Sequence, residues 1–197
     1  MNAPHIINRQ AAATAVRDLL LALGCDPSSD ALRDTPARAA RAWTEQLAGY
    51  GQTAEEVLGT TFDAAEYDEV VLLRQIPFYS TCEHHLLPFC GTADVAYVPG
   101  VLSPGPARVV GLSKLARLVD IHARRLQLQE RMTQAIADDL ERVLDPAGVA
   151  VIVRAQHLCM CARGVGKAGA SMVTAVMRGC FRKKPEARTE LLMLVNQ

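Results

Sequence analysis

Two short segments, far apart in the chain, carry residues suited to one metal ion, and the fold must bring them together. Cys82 and His85 are three residues apart, so one tight turn can aim both side chains at a common point. Cys159 offers a third ligand on a downstream segment with strand character. A set of two thiolates and one imidazole suits Zn²⁺. Three protein ligands leave the fourth tetrahedral position open, which is typical of a catalytic site rather than a structural one.

Two further histidines accompany these residues and are candidate proton carriers. His84 precedes His85, and His157 lies two residues before Cys159, so the alternation of a strand predicts that His157 and Cys159 share a face. Zn²⁺ lowers the pKa of bound water to about 7, and flanking imidazoles can then move protons. This arrangement indicates hydrolysis at an electron-poor carbon, such as one between two ring nitrogens. Cys161 has the same parity and remains an alternative ligand.

The composition predicts a folded chain without a broad charged surface. Of 197 residues, 50% are hydrophobic and 21% are charged, and the formal net charge is zero. Such a balance argues against a general nucleic-acid binder or a membrane-surface protein. The first residues show no secretory signal, and six cysteines without one are more typical of reduced thiols or metal ligands than of disulfides. We therefore expect a cytoplasmic protein.

Hydrophobic spacing and turn residues predict helices first and then a sheet interrupted by helices, which is an α+β fold. Residues 1–68 form the helical region and residues 69–197 the sheet domain. Thr35 and Ser113 are the predicted caps of the helices that they open. The predicted helices lie at 12–23, from 35 to Gly49, from 113, at 132–144 and at 185–195, and the predicted strands at 70–79, 95–98, 149–153 and 173–180.

Basic residues near the same segments indicate a phosphate-bearing ligand. A helix that opens behind Gly111 offers free N–H groups and a positive dipole end to an anion. Because the chain has no excess positive charge, this clustering favours a polyphosphate, although solvated helix faces would explain the same residues. The candidates are Ser113, Lys114, Arg117, Arg163, Arg38 and Arg41.

An acidic residue ahead of the helix at 132 has two interpretations. Glu130, which follows Gln129, can simply complement the positive end of the helix dipole. It can equally accept two hydrogen bonds from the N1–H and amino group of a guanine. Both interpretations stay open on composition alone.

Taken together, these segments resemble GTP cyclohydrolase I over roughly residues 11 to 195. The resemblance rests on Cys82-Glu83-His84-His85 within 80–89, on 110–120, on 123–133 and on 157–165. It implies a tunnelling fold (T-fold), in which N-terminal helices flank an antiparallel sheet with two helices on one face. Residues 69–197 would then be the T-fold catalytic domain. It also implies a homodecamer with active sites between subunits.

The resemblance further implies a role for each candidate residue. Cys82, His85 and Cys159 match zinc ligands, which leaves Cys161 out. His84 and His157 match catalytic histidines. The carboxylate that anchors guanine corresponds to Glu130, with Gln129 beside it. The positions that hold the triphosphate correspond to Ser113, Lys114, Arg117, Arg163, Arg38 and Arg41, with Ser113 also near the ribose chemistry.

The implied reaction converts GTP and water to 7,8-dihydroneopterin triphosphate and formate, the first step of pterin and tetrahydrofolate biosynthesis, with no organic cofactor. Four departures from the family pattern suggest an alternative, a divergent homologue that feeds a specialised, deazaguanine-type pathway. Asp94 stands where a histidine or small polar residue is common, and Arg154 where an acidic residue is frequent. Ala170 and Met172 replace hydroxyl residues, and 103–107 lengthens a loop.

Overall fold

A computed structural model describes residues 6–100 and 106–197 of the chain. Its N-terminal part is helical, with α1 at Arg9–Ala22, α2 at Thr35–Gln46, a 3₁₀ turn at Ala48–Gly51 and α3 at Ala54–Leu58. A capping box at Thr53 and Glu56 opens α3. The predicted helical region also contains a strand, β1 at Thr61–Asp63, which pairs antiparallel with β4 at Arg108–Val110. The two predicted regions therefore share a small sheet.

The strands of the main sheet are β2 at Val71–Cys82, β3 at Pro88–Val98, β5 at Leu126–Gln127, β6 at Gly148–His157 and β7 at Met172–Gly179. Their order across the sheet is β5-β2-β3-β6-β7. The short β5 runs parallel to β2, and the other pairs are antiparallel. A bulge between Leu73 and Ile76 interrupts β2, where the backbone N–H of Gln75 donates to Asp94 Oδ1 at 2.8 Å.

Two helices, α4 at Leu112–Ala123 and α5 at Gln129–Leu144, pack on one face of this sheet. Leu118 and Ile136 from the helices are fully buried together with Val151 of β6. The opposite face carries a smaller cluster that includes Leu191 of α8, at Pro185–Asn196. Because β6 is covered on both faces, its sequence is continuously apolar rather than alternating. The predicted α+β fold, with an antiparallel sheet and two helices on one face, is confirmed.

Two predicted helix caps are wrong, Thr35 by one position and Ser113 by two. Thr35 already lies inside α2, because the N–H of Arg38 donates to the carbonyl of Asp34 at 3.0 Å and so starts the helix there. In α4 the N–H of Lys114 donates to the carbonyl of Gly111 at 2.8 Å, and Gly111 is the cap. Ser113 therefore stands in the first turn of the helix, with its side chain exposed.

Two very short helices complete the described chain, α6 at Leu158–Cys161 and α7 at Cys180–Lys183. Each begins where a central or edge strand ends, so each turns the chain at the rim of the sheet. Within residues 6–100 and 106–197, none of the helices combines the length and the apolar character needed to cross a bilayer.

Candidate active site

The first two candidate ligands lie on the turn that joins β2 to β3. The N–H of Leu86 donates to the carbonyl of Cys82 at 2.8 Å, and the N–H of Cys82 donates to that of Leu87 at 2.9 Å. Leu86 has a φ of 54°, in the left-handed region, which lets the chain reverse in so few residues. The turn places His85 Nδ1 3.6 Å from Cys82 Sγ.

The third candidate ligand arrives by a different route from the one predicted. The strand interpretation of Cys159 is wrong, because β6 ends at His157 and Cys159 lies in α6. A helical step rotates successive side chains by about 100°, so strand parity does not apply beyond His157. Nevertheless the ligand atoms of Cys82, His85 and Cys159 all lie within 4.8 Å of one another. These three residues can hold a metal ion.

Cys161, the alternative ligand, is not part of this group. Its Sγ lies 3.5 Å from the carbonyl oxygen of Lys167 and contacts the loop after α6. Burial raises the pKa of the Cys159 thiol, and the neighbouring Cys82 raises it further. Two thiols held this close resist losing their protons, so a metal ion that binds both must displace those protons.

His157, the last residue of β6, is fixed by two neighbours. Its ring stacks on Phe89, its register partner on β3, with centroids 4.6 Å apart and planes inclined by 2°. Its Nε2 lies 2.8 Å from Oε1 of Gln129. Burial lowers the pKa of His157, while the negative charge of Glu130 acts in the opposite direction. His157 is therefore a half-buried, largely neutral imidazole in a defined orientation.

Gln129 is buried, and its amide is fully engaged by the protein. Its Nε2 lies 3.1 Å from the carbonyls of Val153 and Met172 and from Thr174 Oγ1. These acceptors leave Oε1 to face His157, so the imidazole donates its Nε2–H and keeps Nδ1 as the basic nitrogen. Sequence spacing could not reveal this role, because it depends on how α5 packs against β6 and β7.

The other predicted reactive residues near the metal group are exposed. Glu130 stands in the first turn of α5, close enough for its charge to act on His157. The ring of His84 meets the ring of His85 edge-on, with centroids 6.2 Å apart. Arg163 donates from Nη1 to the carbonyl of Cys159 at 3.4 Å, which places it beside the metal group.

The remaining basic candidates lie elsewhere on the chain. Lys114 and Arg117 line a cleft of about 410 Å³ that also contains Glu56 and Asp120, and Ser113 is exposed on the same helix turn. The residues that line this cleft do not include any of the three candidate ligands. In a single chain, the cleft lined by Lys114 and Arg117 is thus separate from the metal group.

Arg38 and Arg41 lie on the exposed side of α2. Arg38 pairs with Asp34 at 3.5 Å and donates to Thr35 Oγ1 at 3.2 Å. Both residues are exposed, and they share no cleft with Lys114 in the described chain. Their predicted phosphate contacts stay a prediction.

Two of the four departures explain each other. Asp94 and Arg154 form an ion pair between β3 and β6, with Asp94 3% exposed. A buried carboxylate needs such a partner, so Arg154 compensates the charge of Asp94. The carbonyl of Met172 accepts from Gln129, whereas Ala170 is exposed. The loop insertion at 103–107 falls largely outside the described residues.

Comparison with known proteins identifies the family of the chain. The family model for GTP cyclohydrolase I matches residues 12–196. GTP cyclohydrolase 1 of Thermobifida fusca (strain YX) is 52% identical over 193 residues, which is 98% of this chain and 91% of that protein. GTP cyclohydrolase 1 of Mycolicibacterium vanbaalenii is 53% identical over 184 residues, covering 93% and 89% of the two chains. The chain belongs to the GTP cyclohydrolase I family.

Proposed function

We propose that this chain uses a zinc ion held by Cys82, His85 and Cys159 to convert GTP and water to 7,8-dihydroneopterin triphosphate and formate. The observation that carries the proposal is the convergence of these three ligand atoms, within 4.8 Å, in a member of the GTP cyclohydrolase I family. His157 reaches the same rim of the sheet from β6, two residues before Cys159.

The spacing of the donor atoms fits zinc. Tetrahedral zinc with Zn–S near 2.3 Å and Zn–N near 2.0 Å requires a sulfur–nitrogen separation of about 3.5 Å. Cys82 Sγ and His85 Nδ1 are 3.6 Å apart. When bound, zinc supplies Lewis acidity that activates water at neutral pH and leaves room for it in the fourth position.

His157 is the proposed general base and acid. Gln129 holds its Nε2–H, so Nδ1 is the nitrogen that takes up and returns a proton. A neutral imidazole is needed for that step, and burial, which lowers the pKa of His157, keeps it neutral. His84 is exposed beside His85, and its proposed role is to exchange protons with solvent at the same site.

Substrate recognition is divided between the two ends of the site. Glu130 offers an exposed carboxylate within electrostatic reach of His157, which suits the N1–H and amino group of guanine. Gln129 supports this end by fixing His157. Arg163 lies beside Cys159, where it can contact a phosphate. Ser113, Lys114 and Arg117 would bind the rest of the triphosphate, with Ser113 near the ribose, and Arg38 and Arg41 are outer candidates.

We further propose a homo-oligomer, a decamer with active sites between subunits. In one chain, the cleft of Lys114 and Arg117 is separate from the metal group, so a second subunit would have to join them. Helix α1 also buries none of its residues and exposes Leu19 and Leu21. Exposed leucines on one helix are typical of a protein surface that another subunit covers.

The location and the domain organisation are proposals as well. All six cysteines are free thiols in the structure, which supports a reducing compartment such as the cytoplasm. The metal ligands, His157 and Glu130 all lie after residue 69, which supports assigning the chemistry to residues 69–197.

The test is product analysis with GTP. Zinc-loaded protein should release one formate for each GTP consumed and yield a pterin that becomes fluorescent after oxidation. Protein stripped of metal should release neither product, and restoring zinc should restore both. Unchanged GTP in the presence of stoichiometric zinc would contradict the proposal. Formate without a pterin would instead favour the divergent homologue.

A further inference from the structure

Three consecutive residues in the first turn of α5, Gln129, Glu130 and Arg131, point to three different parts of the site. Gln129 points inward to His157, and Glu130 is exposed. Arg131 turns back to Glu83, which lies in the turn between Cys82 and His85. Helix α5 therefore contacts both segments that supply the candidate metal ligands, and Arg131 is its link to the first of them.

Every nitrogen of the Arg131 guanidinium has an acceptor. Nη1 donates to Glu83 Oε1 at 3.1 Å, and Nη2 pairs with Glu83 Oε2, which makes the contact bidentate. Nε donates to Gln127 Oε1 at 3.2 Å, and Nη2 also donates to the carbonyl of Leu126 at 3.1 Å. A planar guanidinium group that makes four hydrogen bonds has little freedom to move.

The partners of Arg131 on β5 connect this contact to the buried core. Gln127 is 4% exposed, and its Nε2 donates to the carbonyl of His122 at 3.0 Å. The N–H of Glu83 donates to the carbonyl of Gln127 at 3.1 Å. Glu83 is therefore attached to β5 directly through its backbone and, by way of Arg131, through its side chain.

The rest of the ligand turn has few attachments of its own. His84, His85 and Leu86 are exposed, so packing does not hold them. The pair itself is also open to water, with side-chain exposures of 52% for Arg131 and 26% for Glu83. Exposed pairs of this kind add little to global stability. Their effect is expected where the order of the turn itself matters, which is when three ligands must meet at one ion.

We propose that Arg131 is a positioning residue for the metal centre. Through Glu83 it holds the turn in the conformation that keeps His85 beside Cys82 and Cys159. The inference rests on the proposed function, because it assumes that zinc binds these three residues. It assigns no catalytic contact to Arg131 or Glu83. Their effect is on how tightly and for how long the ion is held.

The experiment measures the zinc dissociation constant by competition with a chromogenic chelator, together with the melting temperature of metal-free protein. Arg131→Gln should weaken zinc binding about tenfold, near the low end for residues that support metal ligands. Glu83→Gln should have a similar effect, and the double variant should be no weaker than either single one. Arg131→Lys, which lacks the guanidinium group, should fall between wild type and Arg131→Gln.

The matched control is Arg142→Gln. Arg142 is on the same helix, is 51% exposed and pairs with Glu55, but it lies at the far end of α5. This variant should leave the zinc dissociation constant unchanged. The metal-free forms of Arg131→Gln and wild type should melt at the same temperature, whereas a purely structural role would lower the melting temperature of the metal-free variant.

Three outcomes would overturn the inference. Zinc affinity of Arg131→Gln within twofold of wild type would show that the pair does not support the site. Additive losses in the double variant would show that the two side chains act separately. If the unsubstituted protein binds no zinc at all, the proposed function fails together with this inference, whereas normal zinc binding in all variants overturns this inference alone.

Discussion

Oε1 of Gln129 lies 2.8 Å from Nε2 of His157, and this contact joins the first turn of α5 to the end of β6. The same amide donates to the carbonyls of Val153 and Met172, so it cannot rotate without leaving buried acceptors unpaired. His157 consequently has one preferred tautomer and one ring orientation. The basic nitrogen of the site is set by a residue that itself stays buried.

Replacing Gln129 by methionine should separate this role from packing. Gln129→Met keeps the side-chain volume but frees the imidazole, and we expect turnover to fall about 100-fold while zinc stays bound. The lost buried hydrogen bonds should also cost about 1–3 kcal/mol of unfolding free energy. Gln134→Met, on the exposed side of the same helix, is the control and should match wild type. Normal turnover in Gln129→Met, measured by formate release, would contradict the assignment.

Replacing His157 itself should be more severe for the reaction and harmless for the metal. His157→Ala removes the proposed general base, and such groups contribute about 10²- to 10⁴-fold to a rate. Zinc content should stay at one ion per chain, since His157 is not one of the three grouped ligands. Loss of zinc in this variant, measured by plasma mass spectrometry, would mean that the ligand and base roles are wrongly divided.

The proposed sharing of active sites between subunits predicts complementation. Lys114→Ala and His157→Ala proteins should each be inactive, because each lacks one side of the site. Oligomers reassembled from an equal mixture should regain about a quarter of wild-type activity, since random pairing joins two intact halves one time in four. No recovery after verified subunit exchange would place Lys114 and His157 in the same subunit's site, or outside the site altogether.

Part of the site could be predicted from the sequence because two of its three candidate ligands are local in the chain. The spacing of Cys82 and His85 is that of one turn, and the structure has one turn there. The prediction that Cys159 joins Cys82 and His85 is confirmed, but the predicted reason is wrong. The strand ends at His157, and the short helix α6 brings Cys159 to the other two residues. The position of Cys159 depends on the antiparallel register that sets Phe89 opposite His157. No local sequence pattern encodes that register.

The fold was predictable where patterns are strong, and less so where long-range contacts decide. Periodicity located the helices on the sheet, because their apolar faces are buried. The caps at Thr35 and Ser113 were wrong, since backbone bonds to Asp34 and Gly111 start those helices first. The contacts of Gln129 with His157 and of Arg131 with Glu83 could not be predicted, because both depend on tertiary packing. Basic residues were the weakest signal, since a solvated helix face and a phosphate site look alike in sequence.

The contact between His122 of α4 and Asp139 of α5 predicts how the stability of the protein depends on pH. Burial opposes ionisation of Asp139, but hydrogen bonds from His122 and Arg142 outweigh it and hold the pKa of this carboxyl below its usual value of 3.8. A carboxyl whose pKa is lower in the folded state stabilises the protein above the unfolded value and loses that contribution as pH falls through the folded value.

Asp139→Asn should therefore cost about 2 kcal/mol of unfolding free energy at pH 7. The difference from wild type should shrink as the pH is lowered from about 5 to about 2. Urea unfolding of both proteins across this range is the measurement. A difference that stays constant with pH would show that the ionised form of Asp139 does not carry the effect.

The contact between β3 and β6 leaves no room at Gly91. A Cβ there would lie 1.9 Å from the carbonyl oxygen of Arg154 and 2.7 Å from the Cα of Ala155. Gly91→Ala must spread the two strands, and we expect it to lower the unfolding free energy by about 3 kcal/mol. Gly51→Ala, where nothing lies within 4 Å, is the control and should be close to neutral. Equal stability of the two variants in urea would contradict the strand register.

The most direct test is X-ray absorption at the zinc edge of the fully loaded protein. We predict two sulfur neighbours near 2.3 Å and two nitrogen or oxygen neighbours near 2.0 Å, one of them from solvent. A third sulfur, supplied by Cys161, or a fourth protein ligand that closes the site would contradict the account, because water could then not reach the metal.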